Sequence, residues 1–271
     1  MAHLERFAPS PTGPLHLGHA FSALTAWERA QAAGGGFLLR LEDIDTARSR
    51  AEYIQAIYED LHWLGLDWPT PVLRQSTRLP AYRNALQKLG KMGLTYACTC
   101  TRRDIANALG APQEGAPLGP DGVIYPGTCK GQNRQGPAAI RLDMAKAVTG
   151  DITYFEGSTP VTTPRAEMIE TIGDIVLARK DIGTSYHLSV VLDDAFQGIT
   201  HVTRGADLRP ATPIHALLQN LLGLPAPVYH HHRLIRDENG KRLAKRDDAR
   251  AIAKYRAEGA SPQDIRKMVG L

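Results

Sequence analysis

Arg6-Phe-Ala-Pro-Ser10-Pro-Thr-Gly-Pro-Leu15-His16-Leu-Gly18-His19 opens the chain with a short apolar strand, a Pro/Gly-rich turn and two histidines flanking a glycine, and an amphipathic run over 20–33 follows. This order is that of a nucleotide site built where a helix starts. The first turn of a helix presents unpaired N–H groups and a partial positive charge, which suit a triphosphate. Gly18 lacks the Cβ that would hold a flat adenine off the backbone. Imidazoles at 16 and 19, about one turn apart, can hydrogen-bond phosphate oxygens without a fixed charge. Taken alone, the tetrapeptide could equally be a surface turn. A second element weighs against that reading: Lys241-Arg242-Leu-Ala244-Lys245-Arg246, directly after an Asp-Glu-Asn-Gly turn.

Outward from this site, residues 4–8 read as a strand, 17–33 as a helix closed by Gly34-Gly35-Gly36, 37–41 as a buried strand and 51–64 as a helix. Strand and helix in alternation predict a parallel, doubly wound, Rossmann-like sheet. A helix over 78–92 follows. From Leu94 the pattern changes to short strands around the Gly/Pro-rich stretch 110–122, which reads as an inserted module with a loop. The parallel sheet is expected to resume with a strand at 174–179. After it come a helix over 186–196, a strand at 199–204, a helix over 212–222 and a last strand at 228–235. The expected division is therefore 1–93 and 171–240 as two halves of one catalytic domain, 94–170 as the insertion, and 241–271 as the basic loop and a helical tail.

A chain of 271 residues suffices for this architecture. It has no apolar N-terminal leader and no run approaching the ~18 apolar residues of a membrane span, so a cytoplasmic protein without a membrane partner is expected. The net charge of +4 is unevenly placed: residues 230–271 hold 11 Lys/Arg against 6 Asp/Glu, leaving 21 against 22 for residues 1–229. A cationic end beside a nucleotide loop could meet a phosphate backbone. The cysteines are Cys98, Cys100 and Cys129. Three cannot pair off, and their crowding suggests a metal site rather than a disulfide frame. Three thiolates suit Zn²⁺, yet a closed structural site wants a fourth ligand. No histidine lies between Cys98 and Cys129; Asp104, Asp121 or water could complete the set. His230-His231-His232 alternate across a strand and cannot converge on one ion. Trp27, Trp63 and Trp68 read as packing residues.

The paired signatures resemble those of class I aminoacyl-tRNA synthetases, the second of which usually reads Lys-Met-Ser-Lys-Ser. The words Arg6-Phe-Ala-Pro-Ser-Pro-Thr-Gly, Leu41-Glu42-Asp43-Ile-Asp-Thr46, Tyr186-His-Leu-Ser-Val190-Val-Leu-Asp-Asp194 and Arg204-Gly-Ala-Asp207 are similar to the glutamyl-tRNA synthetase family across essentially the whole chain. The shortened members that act on queuosine-containing tRNA(Asp) are the nearest match. The resemblance implies that L-glutamate is bound by Arg6, Phe7, Ala8, Pro9, Ser10, Glu42, Tyr186 and Arg204. Guanidinium forks would take the two carboxylates, and acidic or hydroxyl groups the ammonium. It implies ATP at His16, Gly18, His19 and Lys245, with Mg²⁺ accompanying the nucleotide, and Zn²⁺ on Cys98, Cys100, Tyr125 and Cys129. The expected reaction is formation of glutamyl-adenylate and transfer of glutamate to tRNA, by a monomer.

The chain departs from the pattern at Val190, where full-length enzymes usually carry Asn, and at Arg242, Ala244 and Arg246 in the basic loop. A glutamyl-tRNA synthetase charging tRNA(Glu) is the first alternative. Fewer than thirty residues after Arg246 would not accommodate its anticodon-binding helical domain. A small-molecule adenylyltransferase would share His-x-Gly-His but has no use for the glutamate words or the cysteines, and an RNA-binding zinc protein without catalysis would not need His16, His19 and Lys245.

Overall fold

The computed structural model describes residues 2–109, 117–236 and 250–271. In chain order the elements begin with β1 (Leu4–Phe7), α1 (Leu17–Ala32), β2 (Gly36–Leu41), α2 (Ala51–Trp63), β3 (Leu73–Arg74) and α3 (Leu79–Lys91). Next come β4 (Thr95–Cys98), α4 (Arg102–Ala108), β5 (Leu118–Gly119), β6 (Gly122–Val123), β7 (Ala139–Leu142), α5 (Met144–Ala147), β8 (Ile152–Glu156) and β9 (Thr159–Thr163). The remainder is α6 (Arg165–Glu167), which runs into a π-helical turn at Met168–Ile172, then β10 (Val176–Ala178), α7 (Tyr186–Phe196), β11 (His201–Gly205), α8 (Thr212–Leu222), β12 (Val228–His232), α9 (Ile252–Ala257) and α10 (Pro262–Val269).

Two compact units divide the chain. The first comprises Met1–Thr77, Gly198–Arg209 and Pro227–Leu271. In it β1 pairs parallel with β2, from Leu4 opposite Gly36 to Phe7 opposite Leu39, and β2 pairs parallel with β3. Strand β11 runs parallel with β12 and lies along β1, where the Thr200 N–H donates to the Leu4 carbonyl at 3.1 Å. Parallel strands joined through helices bury both faces; β2 is accordingly mostly apolar, while β1, β11 and β12 carry buried polar residues such as Glu5, Arg6, Thr203 and Arg204. Helix α1 presents Ala20, Ala23, Ala26 and Ala30 to the interior, small side chains that let the helix lie close on the sheet. At Gly35 the approach is closer still. A Cβ there would sit 2.1 Å from the His3 carbonyl oxygen, so only glycine lets the chain turn from α1 into β2. Ile252 and Ile265 carry the C-terminal helices into the same core as Leu24, Leu39, Leu41 and Leu61, and Trp68 is buried there with Trp27 and Trp63 packed beside it. Arginines tie the tail down: Arg266 pairs with Glu28, and Arg233 donates to the Val269 carbonyl.

One of these attachments is pH-sensitive. Asp60 of α2 is 1% exposed, neither carboxylate oxygen has a hydrogen-bond partner, and its cation is Arg256 of α9 at 3.5 Å. Burial raises the Asp60 pKa to about 6, with Arg256 opposing and Glu59 adding to the rise. The native state therefore holds this proton more tightly than the unfolded chain, and the contribution to stability, full at pH below the ordinary value of 3.8, is lost as pH rises to about 6. Asp60→Asn is expected to stabilise the protein by about 1–2 kcal/mol at pH 8 and by much less at pH 5. Urea unfolding at the two pH values checks this, and an equal gain at both would refute it.

The second unit is Arg78–Gln197 with Pro210–Ala226. Here α7, α8 and α3 pack together, and the fully buried Asp193 of α7 accepts from Arg78 Nε at 2.6 Å and from the Tyr82 hydroxyl at 2.7 Å. Strands β8 and β9 form an antiparallel hairpin, as do the short β5 and β6. The strand expected at 174–179 forms, but not as a parallel strand. Val176–Ala178 runs antiparallel to β7 in the order β10-β7-β4. A short apolar run satisfies a buried strand position in either direction; its neighbour, 35 residues back in the chain at Arg141, decides the direction. Among the described residues no helix is long and apolar enough to cross a membrane.

Candidate active site and metal centre

The turn after β1 ends in His16, which adopts an extended conformation (φ −125°, ψ 176°) and caps α1. Its Nδ1 accepts the Gly18 N–H at 3.1 Å, while the His19 Nδ1 accepts the His16 N–H at 3.2 Å. Two imidazoles thus perform the reciprocal capping that Ser and Glu perform elsewhere. An Nδ1 that accepts places the proton of a neutral ring on Nε2, the atom able to donate to a phosphate oxygen. The rings lie 3.8 Å apart. Gly18 has a second use: a Cβ there would meet the His16 ring at 3.0 Å and press on it, so the cap itself favours glycine, beside any need of an adenine.

Arg6 and Phe7 are buried at the end of β1, and Ala8, Pro9 and Ser10 lead from it into the turn. The Pro9 carbonyl accepts the Glu42 N–H at 3.0 Å, which holds the ends of β1 and β2 together. Glu42 accepts from the fully buried Arg40 at 3.2 Å. Arg204, near the end of β11, is 4% exposed; its Nε donates to His231 Nε2 at 3.2 Å and its guanidinium lies 5.1 Å from the Tyr229 ring. Arg6, Glu42 and the histidine cap stand at or just past the carboxyl ends of the parallel pair β1 and β2, where ligands bind in open α/β sheets, and Arg204 stands near the end of β11, which lies along β1. His230, His231 and His232 alternate along β12, as a strand requires.

Arg40 and Asp43 are participants that sequence reasoning passed over. Asp43 is buried and accepts from Arg74 Nε at 2.9 Å, the Ser76 N–H at 2.8 Å and the Ser76 hydroxyl at 2.8 Å. It fixes the chain after Glu42. The signal was present, because Asp43 adjoins Glu42 in the same word.

Tyr186 belongs to the second unit, as the first residue of α7, whose N-terminus is capped by Ser185. Its ring packs against His187 and His215. Val190 lies one turn along and is buried. Lys245, with Lys241, Arg242, Ala244 and Arg246, lies outside the described residues. The flanks of that segment are placed within the first unit. Ile235 packs with Phe21 and Val269, Ala251 bridges to His16, and the Ile252 N–H donates to the Leu15 carbonyl at 2.9 Å.

In the second unit Cys98 ends β4, and Cys100 and Cys129 come from the loops around α4 and β7. Their sulfurs all lie within 4.8 Å of one another, with Cys100 and Cys129 at 3.4 Å. The Tyr125 hydroxyl oxygen lies 3.4 Å from Cys98 Sγ and 3.5 Å from Cys100 Sγ, and it accepts the Cys129 N–H at 2.8 Å. A tetrahedron with Zn–S of about 2.3 Å and Zn–O of about 2.0 Å has edges of about 3.8 and 3.5 Å, so a cluster of this size is compatible with a zinc ion. The two carboxylate candidates for the fourth ligand have neighbours of their own. Asp104 caps α4 by accepting from Thr101 N–H and hydroxyl at 2.8 Å, and Asp121 lies 3.4 Å from His187 Nε2. Burial opposes ionisation of Cys129, but hydrogen bonds from Tyr125, Thr99 and Cys100 outweigh it and bring the thiol down to about 6, an early step towards a metal ligand. Burial, with the neighbouring thiols, pushes the Tyr125 phenol up. A bound cation would reverse that order.

Residues 4–271 match the family described as tRNA synthetases class I (E and Q), catalytic domain. The Glutamyl-Q tRNA(Asp) synthetase of Rhodobacter capsulatus is 61% identical over 281 residues, covering 99% of this chain and 100% of that protein. That of Nocardia farcinica is 44% identical, covering 96% and 81%. Among solved structures, the glutamate-tRNA synthetase from Elizabethkingia anophelis superposes with a TM-score of 0.80 at 26% identity, covering 100% of this chain and 61% of that one. The chain therefore spans less than two thirds of the length of that synthetase.

Proposed function

The chain belongs to the class I tRNA synthetases of the E and Q type, and from that membership we infer that it activates L-glutamate with ATP and transfers it to queuosine at the wobble position of tRNA(Asp). The observation that carries this reading is the 61% identity, over 99% of this chain and 100% of the relative, to a glutamyl-Q tRNA(Asp) synthetase. In the first step a glutamate carboxylate oxygen attacks the α-phosphate of ATP, a bond to phosphorus forms, and pyrophosphate leaves. No covalent nucleophile is required, only alignment and neutralisation of developing charge. His16 and His19 donate from Nε2 to the phosphates, Gly18 leaves the helix start open to the adenine, and Lys245 contacts the triphosphate. The flanks of its loop, held on Leu15, His16 and Phe21, support that role. Mg²⁺ accompanies ATP and supplies further positive charge.

Arg6, Glu42, Tyr186 and Arg204 take the carboxylates and ammonium of glutamate, and Phe7, Ala8, Pro9 and Ser10 shape the floor. With Val190 in place of a polar residue, one contact to glutamate is lost and its affinity is low. Residues 94–170 act as the module between the catalytic halves 1–93 and 171–240, and 241–271 carry the loop and tail. The protein works as a monomer in the cytoplasm. Glutamate-dependent exchange of pyrophosphate into ATP without any tRNA tests the first step; exchange that appears only on addition of tRNA would refute it.

The zinc reading holds that Cys98, Cys100, Cys129 and Tyr125 bind about one Zn²⁺ per chain, a structural ion that braces the module. Elemental analysis of protein purified without chelator is expected to find it. Tyr125→Phe should loosen the ion less than Cys129→Ser, because water replaces a phenolate more readily than a thiolate. Competition with a chromogenic chelator measures both, and the reverse order would remove Tyr125 from the ligand set.

A further inference from the structure

A cavity of about 490 Å³ opens in the second unit beside the cysteine cluster, and nothing in the proposed chemistry uses it. Its volume is that of a small-molecule site. Ile105, Val123, Ile172 and Val176 give it aliphatic surface, and Tyr125 and Arg141 form a flat slab in its wall, with the guanidinium 3.8 Å from the ring centroid. The polar groups are uneven in what they have left to offer. Asp174 is spent: it accepts the Tyr96 hydroxyl at 2.6 Å, the Met144 N–H at 2.8 Å and Lys130 Nζ at 3.1 Å. Arg141 donates from one terminal nitrogen to the Asp174 carbonyl at 2.8 Å, but its Nε is buried in the structure with no hydrogen-bond partner. A buried donor without an acceptor in the wall of a cavity is costly unless something enters to accept from it. Arg102 is exposed at the lining, and Asp121 offers a half-exposed carboxylate. Residues 102–141 carry 5 Lys/Arg against 3 Asp/Glu, so the surroundings favour an anion.

A flat cationic and aromatic slab, aliphatic surface, an unused N–H, an acceptor and an outer arginine are together the needs of one nucleotide, a base with its phosphate. We propose that this cavity takes a single splayed-out nucleotide of the RNA substrate, other than the one that receives glutamate, with the base against the Arg141–Tyr125 slab and its phosphate at Arg102. This rests on the reading that the substrate is an RNA. A free mononucleotide shares the chemistry, and the experiment separates the two sources.

Val123→Trp fills the cavity from a residue 45% exposed, and Arg102→Ala removes the outer cation; both leave the cysteine cluster intact, which zinc content and thermal unfolding verify. Each is expected to weaken binding of tRNA(Asp), measured by fluorescence anisotropy, about tenfold, with glutamate-dependent pyrophosphate exchange unchanged. Replacing loop nucleotides one at a time by abasic residues should find one position at which wild type and Val123→Trp bind equally. Unchanged RNA affinity in both variants overturns the proposal, as does tight binding of free AMP or UMP that Val123→Trp abolishes while RNA affinity stays intact. If the variants lose RNA affinity but the wild type glutamylates some other RNA, the cavity stands and the acceptor reading fails.

Discussion

Replacing Lys245 by Ala is expected to slow glutamate-dependent pyrophosphate exchange by on the order of 10²–10³, the usual cost of removing one preorganised group that stabilises developing charge. The basic loop here has lost two of the hydroxyls usual in its signature, at Ala244 and Arg246, and has exchanged its first lysine for Arg242. Lys245 is then the retained lysine of the pattern. Past the undescribed segment, Ala251, six residues on from Lys245, bridges to the capping residue His16. If Lys245 acts only in the transition state, kcat falls and the KM for ATP stays near its wild-type value. Arg in its place should restore charge but not geometry, recovering part of the rate. Exchange at the wild-type rate in Lys245→Ala would remove the lysine from the chemistry.

The site at the strand ends was legible in the sequence because its parts are local. A Pro/Gly turn between an apolar strand and an amphipathic helix fixes where His16 and Gly18 stand, and the crowding of three thiols in thirty-two residues marks the cluster that the fold brings together, whereas Tyr125 came only from the resemblance. What the sequence did not disclose depends on partners far along the chain. The direction of Val176–Ala178 is decided by β7. That the imidazoles cap their own helix before they meet any phosphate follows from ring orientation. Arg40 reads as an interruption in a buried strand, and only its contact with Glu42 shows it as part of the site. Asp60 reads as a solvated position on α2 until α9 returns from nearly two hundred residues downstream to cover it.

The acceptor is the prediction with the largest effect, since it separates reaction from none. Glutamate should be transferred to queuosine-containing tRNA(Asp) and not to tRNA(Glu). Proteins read RNA sequence mainly in single-stranded loops with unstacked bases, and a wobble nucleotide is the exposed centre of such a loop. Queuosine offers a cyclopentene-diol hydroxyl, which can attack the activated carboxyl of glutamyl-adenylate just as a 3′ ribose hydroxyl would. An ester bond forms and AMP leaves. On the proposed reading the cleft at the strand ends needs no new chemistry for this exchange of acceptors, because the same Arg6, Glu42 and Arg204 would hold the glutamate in either case. Labelled glutamate should therefore remain on tRNA(Asp) from which the 3′ terminal adenosine has been removed. It should be absent from tRNA(Asp) that carries guanosine at the wobble position. Transfer to the guanosine form, or transfer abolished by periodate oxidation of the 3′ end with queuosine protected, would overturn the assignment. Charging of tRNA(Glu) in its place would return the chain to the ordinary reaction of its family.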